Sequence, residues 1–172
     1  MADIGWVAAT LADVAARGGA MVLATVVRTE GSTYRRAGAR MLVAADGRTV
    51  GAVSGGCLEA DLALHARDAL AAGAAALVTY DSRADEDLVW GLGLGCDGRV
   101  DVLLEPLASG SLAAATALYT RCLELDAPAT LATVIAVSAP APAGAPRPGD
   151  RLLVRDAAAE AAGLRADAVP AA

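Results

Sequence analysis

The apolar positions of this chain switch period several times, and each switch marks an element. Ile4, Val7, Leu11 and Val14 recur every three to four residues, with Asp3 placed to cap them and Gly18-Gly19 to stop them. That spacing predicts an amphipathic helix. "AMVLATVVRT" (20–29) is a β-branched run of strand length, and "EGSTYRRAGA" (30–39) breaks it as a loop. "RMLVAADGRTVGAVSG" reads as strand, Asp46-Gly47 turn and strand, a hairpin. Residues 57–71 return to helical spacing, with Leu58, Leu62, Ala66 and Ala69 on one face. "AALVTYD" (75–81) and "GRVDVLLEPL" (98–107) are strands. A helix capped by Ser111 runs to about Leu125 and turns Leu112, Ala115, Leu118, Cys122 and Leu125 inward, and "ATLATVIAV" (129–137) is a further strand.

From Ser138 the pattern changes. "SAPAPAGAPRPGD" is a Pro/Ala/Gly loop, "RLLVRD" a short strand, and the last residues a weak helix or frayed tail. The expected organisation is one domain over 1–137, continued by a loop (138–150), a strand (about 151–155) and a weakly ordered tail to 172. The fold class is α/β, a mixed β-sheet flanked by helices. "LATVVRTEG…GARMLV" (23–43) also echoes "LATVIAVSA…PGDRLLV" (131–154), each strand, loop, strand. As a true repeat, 131–154 is expected to join the same sheet as 23–43.

Composition narrows the function. Phe is absent and aromatics make up 3%, so the core must be Val, Leu, Ile and Ala. A net charge of −6 argues against a nucleic-acid grip. No apolar run approaches the roughly 18 residues of a membrane span, and the N-terminus lacks a signal-peptide pattern. Cys57, Cys96 and Cys122 follow no disulfide framework, which points to a cytoplasmic protein with reduced thiols. Asp85–Glu86–Asp87 reads as a solvated turn. With one histidine there is no Ser-His-Asp set, and neither H-E-x-x-H nor a P-loop is present.

Three stretches carry candidate chemistry. In "VSGGCLEADL" (53–62), Ser54, Gly55, Gly56 and Cys57 form a turn into a helix. Two glycines allow close approach by a ligand, and the N–H groups of a helix start favour an anion or a thiolate. The same residues would equally serve a tight turn with a small buried cysteine. "WGLGLGCDG" (90–98) puts Gly91, Gly93, Gly95 and Gly98 around Cys96, dense for a plain connection and without the strand and helix of a dinucleotide fingerprint. Two thiols are too few for a closed zinc site, so a soft metal would arrive with other ligands, for instance inside a cofactor. In "EGSTYRRAGAR" (30–40), Ser32, Thr33, Arg35, Arg36 and Arg40 could clamp a phosphate or carboxylate, or pair with surface acids. His65 reads as a half-buried structural histidine and Cys122 as core.

In this order, "EGSTYRRAGARMLV", "VGAVSGGCLEADL" and "WGLGLGCDGRVDVLLEPL" resemble the XdhC/CoxI family over about residues 4–137. Its members are accessory proteins of xanthine dehydrogenase, carbon monoxide dehydrogenase and related molybdenum hydroxylases. The resemblance implies a chaperone, not an enzyme, that binds the molybdenum cofactor (a molybdopterin) transiently. It would protect the cofactor, support its sulfuration with a sulfurase, and insert it into the apo-hydroxylase. Cys57 and Cys96 match the family's motif cysteines and are the candidate molybdenum-proximal thiols. Ser54, Gly55, Gly56 and Glu59 match the first motif, and Gly91, Gly93, Gly95 and Gly98 the second. Asp97 stands where many members have glycine. A homodimer is also implied. The family's C-terminal Rossmann-type domain has no counterpart in these residues. Two rivals stand beside this reading: a thiol oxidoreductase pairing Cys57 with Cys96, and a docking module that binds the hydroxylase without holding cofactor.

Overall fold

The computed structural model describes residues 2–83, 98–138, 144–155 and 158–162. Its elements, in chain order, are α1 (Ala2–Ala16), β1 (Ala20–Gly31), β2 (Arg40–Ala44), β3 (Thr49–Gly51), α2 (Glu59–Ala72), β4 (Ala76–Asp81), β5 (Gly98–Ala108), α3 (Ser109–Leu123), β6 (Thr130–Thr133), β7 (Arg151–Arg155) and β8 (Ala158–Ala162). The α/β class read from the pattern holds. Where a mixed sheet was expected, every ladder whose register is described is antiparallel.

The chain divides into two compact units, 21–106 and 1–20 with 107–172. The first is a five-stranded sheet in the order β3-β2-β1-β5-β4. Alternation decides its faces. Val22, Ala24 and Val26 of β1, Met41 and Val43 of β2, and Val100, Val102 and Leu104 of β5 form a core with Leu58, Leu62, Ala66 and Ala69 of the α2 segment. The helical stripe was thus correctly placed, and it is small because alanine lets the helix lie close to the sheet. Leu23, Leu42 and Leu103 alternate with these and are fully buried too. The Asp46-Gly47 turn is present: Gly47 has φ +86°, and Asp46 accepts from Arg48 Nε at 2.7 Å.

In the second unit α1 packs on α3, burying Val7, Ala8, Leu11, Leu112, Ala115, Leu118 and Tyr119. Cys122, expected in the core, is half-buried. Ser111 does not cap α3 from outside. The helix starts at Ser109, and the Ser111 hydroxyl reaches back to donate to the Ala108 carbonyl at 2.9 Å.

β6, β7 and β8 make a separate three-stranded sheet, and two expectations change with it. First, within the tail expected as weak helix or frayed chain, Ala158–Ala162 form β8. A strand partner on β7 outweighs alanine's helical preference, as tertiary context commonly does. Second, 131–154 does not join the sheet of 23–43, yet the repeat is real in its hydrogen bonds. Leu23, Ala24 and Thr25 pair with Leu42, Met41 and Arg40, and Leu131, Ala132 and Thr133 pair with Leu153, Leu152 and Arg151. Beyond each pair, Val26 N–H donates to the Ala39 carbonyl (2.9 Å) and Gly38 N–H to the Val26 carbonyl (2.8 Å). Val134 N–H likewise donates to the Asp150 carbonyl (2.9 Å) and Gly149 N–H to the Val134 carbonyl (2.8 Å). Gly38 and Gly149 have φ of +95° and +96°. Each arch is closed within its own sheet, so the echo specifies a local arch and not a shared ladder.

Candidate functional site

The site grows from the connection between β3 and α2. Gly56 has φ +110°, which a side chain would resist. That bend brings Glu59, in the first turn of α2, back under the turn. The backbone N–H groups of Val53 and Ser54 donate to Glu59 Oε1 at 3.1 and 2.9 Å, and the Ser54 hydroxyl donates to Oε2 at 2.5 Å. The Ser54 oxygen accepts in turn from Gly56 N–H (3.1 Å), Leu58 N–H (3.2 Å) and the Cys57 thiol (3.6 Å). Burial pushes the Glu59 carboxyl up, but the Ser54 hydroxyl and the backbone donors outweigh it and hold it below its ordinary value.

Part of the anion nest expected at the helix start already has acceptors within the turn. The N–H groups of Val53, Ser54, Gly56 and Leu58 are taken by Glu59 and Ser54. Glu59 is therefore a positioning residue that shapes the turn. Cys57 is half-buried, donates to Ser54 and packs against the core below.

The loop between β1 and β2 meets this turn. A Cβ built on Gly55 would lie 3.2 Å from Cγ of Tyr34 and 3.3 Å from each of its Cδ atoms. Ser32, Thr33, Tyr34, Arg35 and Arg36 are thus carried to the cysteine turn by one aromatic contact. Thr33 spends its hydroxyl on the Arg35 carbonyl (3.0 Å), and Arg40 donates to the Gly38 carbonyl (3.0 Å), so both stabilise their own arch. Arg36 is exposed.

The third motif enters through its last glycine. A Cβ on Gly98 would lie 2.6 Å from the carbonyl oxygens of both Glu30 and Ser32 and 2.9 Å from Thr33 Cγ2. Ser82 fixes the same residue: its hydroxyl donates to the Gly98 carbonyl at 2.8 Å and accepts from Gly98 N–H at 3.0 Å. Gly91, Gly93, Gly95, Cys96 and Asp97 lie outside the described residues, as does the acidic turn at 85–87. Among the described residues no group of three or more His, Cys, Asp and Glu could hold a metal ion, and no helix is long and apolar enough to cross a membrane.

Several residues near this end of the sheet went unread in the sequence. Arg83 holds Asp81 through 2.9 Å bonds, keeping its carboxyl at about 2, and reaches Glu30 at 3.1 Å. Asp101 is almost fully buried and is matched by Arg99 (3.0 Å), Arg28 (3.6 Å) and the Thr79 hydroxyl (2.9 Å), as a buried charge must be. Tyr80 donates to Asp61 at 2.6 Å; burial, then that bond, holds its phenol well above the usual range. His65, expected half-buried, is exposed beside Asp61 at 3.4 Å. Alternation along β5 hinted at Asp101; nothing in the sequence pattern pointed to the Tyr80–Asp61 and Arg83–Glu30 pairs, which meet across 19 and 53 residues of chain.

A glycine turn with a thiol at a helix mouth, packed against the loop between β1 and β2 at one end of the sheet, marks out an α/β module. Residues 14–81 match the model of the XdhC and CoxI family. Two curated relatives agree. A protein of Bacillus subtilis (strain 168), named as a probable subunit of xanthine dehydrogenase, is 45% identical over 84 residues, 49% of this chain and 26% of that protein. The molybdenum cofactor insertion chaperone PaoD of Escherichia coli (strain K12) is 37% identical over 89 residues, 51% of this chain and 27% of that protein. A solved xanthine dehydrogenase structure from Bacillus halodurans is similar with a TM-score of 0.67 and 30% identity, over 90% of this chain and 44% of that one. The matches thus span about a quarter of the curated relatives' length.

Proposed function

We propose that this chain is the cofactor-handling part of an accessory protein for molybdenum hydroxylases of the xanthine or carbon monoxide dehydrogenase type. It holds the molybdenum cofactor transiently, protects it, supports its sulfuration with a sulfurase, and releases it to the apo-hydroxylase in the cytoplasm. It turns over no substrate of its own. The names borne by the relatives support an accessory role. The observation that carries the cofactor part is the Ser54–Cys57 turn. It presents a soft thiol on a bend locked from beneath by Glu59, and Tyr34 joins it to the arginine-bearing loop.

The residues present fit a molybdopterin in kind. When bound, the cofactor supplies a soft metal–sulfur centre and an anionic phosphate. Cys57 is the soft donor of this chain, with Cys96 its candidate partner. Since the turn's own amides are largely occupied, the phosphate falls to a guanidinium, Arg36 being exposed. Ser54 and Glu59 keep the thiol in place.

The test is anaerobic binding of molybdenum cofactor to the purified chain, read as retained molybdenum after gel filtration. Near-stoichiometric molybdenum is expected on wild type, with a marked loss in Cys57→Ser or Cys96→Ser and no loss of folding. A folded wild type that retains no molybdenum, yet captures the apo-hydroxylase, would replace this reading with the docking module.

A further inference from the structure

We propose that Tyr34 is the stacking platform for the planar pterin ring of the cofactor, an inference that rests on the function proposed above. Aromatic residues are scarce in this chain, at 3% with no Phe, and most of the core is aliphatic. Tyr34 is nevertheless 62% exposed, the most exposed of the large apolar side chains among the described residues. A stray surface tyrosine would have no fixed seat. This one does: a Cβ on Gly55 would be nearly equidistant from Cγ and both Cδ atoms. That near-equality places the point over the ring face, since an approach along the ring edge would leave the Cδ atoms farther away. Gly55 thus lies flat under one face, and the ring's exposure leaves the other face to solvent.

The seat is also chemically placed. Two residues beyond Gly55 is Cys57, half-buried and bonded to Ser54. Two residues beyond Tyr34 is the exposed Arg36. A flat π-surface, a soft thiol and a guanidinium are what a ligand combining a fused heterocycle, a soft metal centre and a phosphate needs. Stacking suits the heterocycle because the bond is carried by ring area and needs no particular edge pattern. Gly55 then has a role beyond turn-making, since it keeps the platform at the height of the cysteine turn.

The experiment measures the affinity of wild type, Tyr34→Phe, Tyr34→Trp, Tyr34→Leu and Gly55→Ala for molybdenum cofactor, anaerobically, with thermal midpoints alongside. Phe and Trp should bind as wild type or tighter, because each keeps a π-face. Leu should weaken binding roughly ten- to a hundredfold at an unchanged midpoint, the range that stacking on an aromatic ring commonly carries. Gly55→Ala should weaken it too, by tilting the ring. A Tyr34→Leu protein that binds cofactor as wild type overturns the platform while leaving the proposed function standing. So does a loss confined to capture of the apo-hydroxylase, which would make the ring a partner contact. A wild type that binds no cofactor overturns both.

Discussion

The Ser54 hydroxyl donates to Glu59 at 2.5 Å, and the same oxygen accepts from the Cys57 thiol. One side chain thereby joins the helix, the turn and the cysteine. Replacing the carboxylate by an amide leaves one oxygen to accept from the N–H groups of Val53 and Ser54. It sets an NH2 donor against the Ser54 hydroxyl that donated to the other oxygen, and removes the charge from all three bonds. Glu59→Gln should therefore cost about 1–3 kcal/mol in urea unfolding, as loss of charged acceptors typically does. It should also lower cofactor retention even though the new amide would touch no ligand. An unchanged unfolding midpoint would show that the turn holds without its lock.

Stability should follow the titration of that carboxyl. Its native value lies below the ordinary 4.5, with the hydrogen bonds outweighing burial. A carboxyl depressed in the folded state contributes stability that is fully present above its unfolded value. That contribution disappears as pH falls through the lower native value. The unfolding midpoint of wild type should thus drop below about pH 4.5 more steeply than that of Glu59→Gln, and the difference should level off at still lower pH.

Gly98→Ala should destabilise the chain by about 1–3 kcal/mol, the usual cost of overpacking. The new methyl would sit 2.6 Å from two backbone carbonyl oxygens, which cannot swing aside. Gly5→Ala is the contrast. It lies within α1 with nothing inside 4 Å, and should gain about 0.5–1 kcal/mol from lost chain entropy. Thermal unfolding of the two variants should move in opposite directions.

The paired arches predict paired costs. Gly38→Ala and Gly149→Ala each place a side chain at φ near +95°, so each should lose about 1–2 kcal/mol. Hydrogen exchange should show the loss at Val26 for the first and Val134 for the second, the residues whose N–H groups close each arch on the Ala39 and Asp150 carbonyls. A large cost at one and none at the other would make the repeat a coincidence of sequence.

What the sequence alone determined is what depends on near neighbours. Helical spacing put Leu58, Leu62, Ala66 and Ala69 against the sheet, Asp46-Gly47 made its hairpin, and the motif "SGGCLE" already contained both the bend and its glutamate lock. The arch repeat was legible because each arch is closed by its own local bonds. The tertiary structure alone decided the rest. It assigned 131–154 to a second sheet, because strand order depends on which edges are available and not on the strand's own pattern. It turned "AAEAA" into a strand by giving it β7 to pair with. It gave the N–H groups of Val53, Ser54, Gly56 and Leu58 to Glu59 and Ser54, since donors in a tight turn go to whichever acceptor the bend brings nearest. And it laid Tyr34 on Gly55, two residues whose contact no local periodicity could encode.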